Sequence, residues 1–309
     1  MSMNSDLYGN REPNLDNFAH FSRFKVTYEK EILESKQSIL DIGGADGEFI
    51  DLINRHIGPV DGSVMEIDAE CIKNGRNKYP NISFVQKKFP IKTWALPIKK
   101  YDIVSMNFLF PHLLDWRKTI LEMAKSSKKY IVFSALLRDD GPTIADDTIS
   151  YVYYLDTGKR VAQVINNVWE IINFICLQEI RAKKIEFYGV KWFDDDKTSK
   201  VKEKMKESQE INKIDVDSIK FQFSDDAHVF RGIPAYDIIK GYFFIELFDE
   251  KDNPKRVGGL GRGREEQYAG YKFFRPEIHI EINNKFFFSH KDCVNRYNAK
   301  SFIKRLERF

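Results

Sequence analysis

Asp41, Gly43, Gly44, Ala45 and Gly47 form the grouping with the most chemical potential in this chain. They follow an apolar run (Ile39, Leu40, Ile42) and precede Phe49, Ile50, Leu52 and Ile53, whose spacing predicts a helix. Glycine lacks a Cβ and adopts positive φ, so a strand–turn–helix of this kind lets backbone come close to a ligand. It also aims free N–H groups and a helix N-terminus at that ligand. Asp41 makes the turn unusual, because a carboxylate there repels phosphate. The turn suits a ligand with cationic or hydrogen-donating groups. A second acid, Asp68, ends the next apolar run, residues 63–68, and lies 21 positions beyond Gly47. In βαβ nucleotide sites an acid about 20 residues past the glycines accepts hydrogen bonds from ribose hydroxyls. The glycines lack the three-residue step of G-x-G-x-x-G, so dinucleotide spacing is excluded.

These residues resemble the class I S-adenosylmethionine-dependent methyltransferases, well over residues 36–138 and loosely over 140–192. The family's acid followed by G-x-G-x-G is matched by Asp41, Gly43, Ala45 and Gly47, with Ala45 in place of the middle glycine. Its ribose-binding acid falls on Asp68. After the third strand, residues 82–86, the family often carries an acid against adenine; Lys87 and Lys88 stand there instead, leaving Lys88, a backbone amide or Phe89 at that edge. The fourth-strand motif is matched by residues 101–107, whose Asn107 would lie beside the methionyl group. Residues 129–134 match the fifth strand. The resemblance implies S-adenosyl-L-methionine as cofactor, held by Asp41, Gly43, Gly44, Ala45, Gly47, Asp68, Lys88 and Asn107. It also implies an α/β fold, a mostly parallel seven-stranded Rossmann-like methyltransferase sandwich.

For catalysis the foremost residue is His112, just beyond the fourth strand, at the end where parallel sheets place ligands. A hydroxyl acceptor must lose its proton as the methyl arrives, and histidine titrates near working pH. A histidine merely bonded to a helix start is an equal reading of the same position; His20 and Asp115 are alternates. The 107–110 stretch lies where amino-methylating nucleic-acid enzymes carry Asn/Asp-Pro-Pro-aromatic, but both prolines are absent here. The expected reaction is methyl transfer to a small molecule, O-methylation of a sugar or biosynthetic intermediate. The alternatives are an RNA methyltransferase and a non-catalytic cofactor-binding scaffold.

The elements that must position these residues follow from periodicity. Residues 14–34 read as a helix with Phe18, Phe21, Tyr28 and Ile32 on one face, and 36–138 alternates strand and helix as a parallel sheet requires. Past Asp140-Gly141-Pro142, Tyr151, Tyr153, Tyr154 and Trp169 offer either an acceptor wall or core. Asn167 caps an expected helix over 168–182, and 184–192 reads as the sixth strand. Residues 242–248 are favoured over 219–223 as the last strand. Alternating Ile278, Ile280 and Ile282 before Asn283-Asn284 predict a hairpin. The expected division is a core over 1–249, with an insertion at about 193–235, and a C-terminal α+β extension over 250–309. That extension is a possible acceptor cap, and its Arg262 and Arg264 could clamp a phosphate.

Composition narrows the classes further. A net charge of +3 is too small to imply a nucleic-acid partner, and the charges are interspersed. Cys71, Cys176 and Cys293 show no metal-ligand spacing, so the plain reading is free thiols and no metal. The Asp194-Asp195-Asp196 triplet, with no nearby histidine, reads as solvated charge. Without a signal-peptide pattern or an apolar run of membrane length, a cytoplasmic protein is expected.

Overall fold

The structure is a computed structural model that describes residues 20–89, 100–138, 141–148, 150–154, 159–177, 180, 182–191, 218–222, 227–231, 238–248, 276–282 and 285–290. Strand β1 (Ser38–Ile42) is buried along its whole length, as a strand covered on both faces must be. Parallel to it lie β2 (Asp61–Glu66) and β4 (Tyr101–Met106), and outside β2 lies β3 (Ser83–Gln86). Strand β5 (Ser127–Arg138) follows β4 in parallel, and short β8 (Ile165–Asn167) pairs with its end. Strands β9 (Ala182–Lys191) and β12 (Ile239–Leu247) complete the core, β12 inserting antiparallel between β5 and β9. The seven expected strands therefore stand in the order β3-β2-β1-β4-β5-β12-β9. The sheet has ten, because β8 and the hairpin β13 (Glu277–Ile282) and β14 (Lys285–His290) join it, β13 in parallel with β9.

Helices cover both faces. On one face pack α1 (Phe21–Glu34), α2 (Glu48–His56) and α3 (Ala69–Lys78), through Phe21, Phe24, Tyr28 and Ile32 of α1 and Phe49 and Ile53 of α2. On the other face α4 (Trp116–Ser126) and α5 (Val168–Leu177) bury Trp116, Ile120, Ile171 and Ile175. Asn167 caps α5 as expected, its side-chain oxygen accepting from the amides of Trp169 and Glu170 at 2.8 and 3.1 Å. Two further hairpins stand off the sheet, β6 (Tyr151–Tyr154) with β7 (Lys159–Ala162), and β10 (Ser218–Gln222) with β11 (Ala227–Arg231). Strand β11 lies against β6. Residues 219–223, the rival for the last strand, thus fall mostly within β10, outside the main sheet. Residues 14–19, Asp194-Asp195-Asp196, Arg262, Arg264, Cys293 and the rest of 291–309 lie outside the described residues.

Candidate cofactor and acceptor site

The sheet places its chemistry at one point. From β1 the chain steps outward to β2 and β3, then returns to β4 on the opposite side of β1. The strand order therefore reverses between β1 and β4, and α/β sheets bind ligands beyond the carboxyl ends of the strands at such a point. Asp41, Glu66 and Asn107 all stand at these strand ends.

Asp41 is 1% exposed. Its Oδ1 accepts from Ser105 Oγ at 2.8 Å and Asn107 Nδ2 at 3.2 Å. Burial pushes its carboxyl up to about 7; the bonds from Ser105 and Asn107 oppose that shift, and nearby Glu66 adds to it. No basic side chain among the described residues forms an ion pair with Asp41. Around it the backbone turns sharply, with Gly43 at φ +71°, Ala45 at +47° and Gly47 at +92°. A Cβ on Gly44 would stand 2.5 Å from Asp41 Oδ2, so the glycine there makes room for the carboxylate itself. At Gly43 the equivalent Cβ would strike Leu109, so β4's following loop packs directly on the turn.

Asp68 is the N-cap of α3, its side chain accepting from the amides of Glu70 and Cys71 at 2.8 and 3.4 Å. Glu66, the last residue of β2 and only 5% exposed, turns back over the glycine turn. Its Oε2 accepts from the Ala45 amide at 3.1 Å, and its Oε1 from the amides of Ile67 and Asp68 at 2.7 and 3.1 Å. Ile67 beside it leaves an apolar side chain 59% exposed at the strand end. Lys88 is exposed at the end of β3 and makes no hydrogen bond or ion pair among the described residues, while Phe89 is buried in the core.

Beyond β4, Phe108 takes a positive φ of 59°, and its amide donates to Ser134 Oγ on β5 at 2.7 Å. Asn107, whose amide group is bound to Asp41, is turned toward the β1 turn rather than offered to a flipped base. A 3₁₀ turn, Phe110–His112, follows. The His112 ring meets the Ala162 carbonyl of β7 through Nδ1 at 2.9 Å. A carbonyl only accepts, so Nδ1 carries the proton and Nε2 keeps its lone pair. Burial pulls the His112 pKa below its ordinary value, with the carbonyl bond opposing. The alternates are otherwise engaged. Asp115 caps α4 by accepting from the Lys118 amide at 3.2 Å. His20 is buried at the start of α1, stacked on Tyr242 with ring centroids 3.9 Å apart. Its burial, reinforced by the Lys240 charge and opposed by a bond with Asn107, brings its pKa to about 3, too low for a useful base.

A model of the methyltransferase domain matches residues 16–182, more than half of the chain. The chain belongs to this methyltransferase family. Its methyl donor is S-adenosylmethionine. No curated protein matches this methyltransferase in sequence. Among solved structures it is similar to a putative sarcosine dimethylglycine methyltransferase from Galdieria sulphuraria, at 15% identity and TM-score 0.47, over 75% of this chain and 84% of that one. It is also similar to the O-methyltransferase of a trans-AT PKS multienzyme of Brevibacillus brevis in complex with S-adenosyl-L-homocysteine, at 14% identity and TM-score 0.46, over 80% of each chain. With a putative methyltransferase from Haloferax volcanii, in complex with its Trm112 activator, it shares 18% identity at TM-score 0.28, over 39% of this chain and 57% of that one. Among the described residues no helix is long and apolar enough to cross a membrane, and no cluster of side chains could hold a metal ion.

The residues at the strand ends fit the donor's chemistry. Asp41 and Glu66 are buried carboxylates that form no ion pair among the described residues, flanking a turn whose glycines admit close backbone. Such acids suit an ammonium group and paired hydroxyls.

Proposed function

We propose that this methyltransferase moves the methyl group of S-adenosylmethionine to an oxygen of a small-molecule acceptor. The observation that carries the reading is the row of acids at the switch point, Glu66 on β2 and Asp41 at β1 backed by Asn107 after β4. In the proposed arrangement Glu66 accepts from the ribose hydroxyls, Ile67 packs on the adenine face, and Asp41 with Asn107 holds the ammonium end. The Gly43–Gly47 turn lines the path between them, with Gly44 and Ala45 contributing backbone. Asp68 and Lys88 take no part. When bound, the cofactor supplies an activated methyl sulfonium, so the chain's main task is alignment of the acceptor.

His112 is proposed as the base, with Nε2 taking the acceptor's hydroxyl proton and Ala162 fixing the tautomer. The hairpin β6–β7, which carries Ala162, and β10–β11 against it would wall the acceptor side. The extension over residues 250–309 would complete that wall as an acceptor cap. Sugars and biosynthetic intermediates bearing hydroxyls remain the proposed acceptor class, in the cytoplasm, where the buried Cys71 thiol would stay reduced. The test incubates the full chain with methyl-labelled S-adenosylmethionine and a panel of hydroxylated sugars, phenols and hydroxy acids, with RNA as a separate arm. Label in a small molecule supports the reading. Label only in RNA, or S-adenosylhomocysteine binding with no transfer, overturns it.

A further inference from the structure

Lys240 lies near the amino end of β12. Because β12 runs antiparallel to β5, that end is level with the carboxyl ends of β1, β2 and β4. Alternation along the strand puts Lys240 on the same face as Tyr242 and Phe244, which belong to the core beneath α1. Lys240 is half-buried, with Nζ 4.8 Å from the centroid of the Phe108 ring. A partly desolvated ammonium ordinarily has a carboxylate beside it. Among the described residues Lys240 has none, and burial pulls its pKa below the usual lysine value. Two residues along, the Tyr242 hydroxyl is buried without a hydrogen-bond partner among the described residues.

This cation stands past the methionyl end of the proposed cofactor path. The path runs from Glu66 on β2 to Asp41 on β1 and Asn107 after β4, and the sheet continues through β5 to β12. At about 4.8 Å per strand, β12 is about 14 Å from β1. Asp41 and Glu66 would repel an acceptor's negative charge from the cofactor side, whereas the β12 side offers a positive charge over the Phe108 ring.

We infer that Lys240 holds an anionic group of the acceptor, a carboxylate or a phosphate, with Phe108 and the Tyr242 hydroxyl flanking it. The inference rests on the methyl-transfer reading above and narrows its acceptor to an acidic one. The test is calorimetry on the full chain saturated with S-adenosylhomocysteine, titrated with 3,4-dihydroxybenzoate, its neutral amide and 2-hydroxyphenyl phosphate. At least one anion should bind about tenfold or more tightly than the amide, as a charge-assisted bond implies, and the tighter one distinguishes carboxylate from phosphate. Lys240→Met keeps the stem over Phe108 and should abolish the preference; Lys240→Arg should keep it. S-adenosylhomocysteine affinity should stay within about twofold in both variants, well below a tenfold step. The inference is overturned if wild type binds no anion better than the amide, or if the preference survives Lys240→Met. It is also overturned if Lys240→Met weakens S-adenosylhomocysteine tenfold, which would put Lys240 on the cofactor's own carboxylate. Failure of wild type to bind S-adenosylhomocysteine at all would overturn the cofactor reading, a result separate from these.

Discussion

A carboxylate as buried as that of Asp41, steadied among the described residues by Ser105 and Asn107, is poorly stabilised as an anion until a cation arrives. Its folded-state pKa is raised from 3.8 to about 7. The stability it contributes is therefore full below the ordinary carboxylate value and is lost as pH rises to about 7. Asp41→Asn should remove that loss, so the variant's Tm should gain on wild type between pH 5 and pH 8. The same variant should bind S-adenosylhomocysteine about tenfold or more weakly, since a charged partner of the ammonium is gone. Thermal melts and calorimetry at the two pH values check both; a variant that is less stable at pH 8 and binds normally would show Asp41 to be structural. For His112 the lowered pKa places the rise of kcat with pH below the usual histidine value of about 6.5, with a plateau above it. His112→Ala should lose about 10²–10⁴ in kcat with cofactor affinity kept, and His112→Gln should not recover it, because an amide cannot take the proton. A near-normal His112→Gln rate with an unchanged pH profile would leave alignment alone to carry the reaction.

At the scale of elements, the glycine turn was legible because its residue types admit few backbones, and Asp41 and Asn107 were legible because strand ends in a parallel sheet converge. On β2 the proposed ribose ligand, Glu66, stands two residues before the acid that the motif spacing picks out. Strand ends are blurred in sequence, and an acid before Ala69-Glu70-Cys71 has the signature of a helix cap as well as of a ribose ligand. The cap reading of Asp68 has its own consequence. Asp68→Ala should cost about 1 kcal/mol of stability and Asp68→Ser much less, read from denaturant midpoints. Ala45 offers a second check, since a non-glycine residue at φ +47° is strained. Ala45→Gly should raise Tm by a degree or more, the relieved strain of about 1 kcal/mol exceeding the added freedom of the unfolded chain. A lowered Tm would mean the turn is not strained by its side chain.

Over the whole molecule, what escaped the sequence is non-local pairing. The hairpin over 277–290 was readable from alternation and Asn283-Asn284, but its parallel docking on β9 joins segments about ninety residues apart, for which no local pattern exists. The placement of β12 likewise depends on both neighbours, and it shows that the fold reaches beyond the family match at residue 182. A chain cut at residue 192 would leave Ile131 and Phe133 of β5 without Phe243 and Ile245 beside them, and should be recovered only as insoluble protein. A soluble, cooperatively melting fragment would show that β12 is dispensable. In the proposed site the acids at the switch point bind the cofactor, with Glu66 rather than Asp68 on the ribose. Titration calorimetry with S-adenosylhomocysteine on wild type, Glu66→Gln and Asp68→Ser tests it most directly. Kd should rise about tenfold or more in Glu66→Gln, the loss of a charge-assisted bond of about 1.5–3 kcal/mol, and stay unchanged in Asp68→Ser. Normal binding by Glu66→Gln together with a tenfold loss in Asp68→Ser would contradict it.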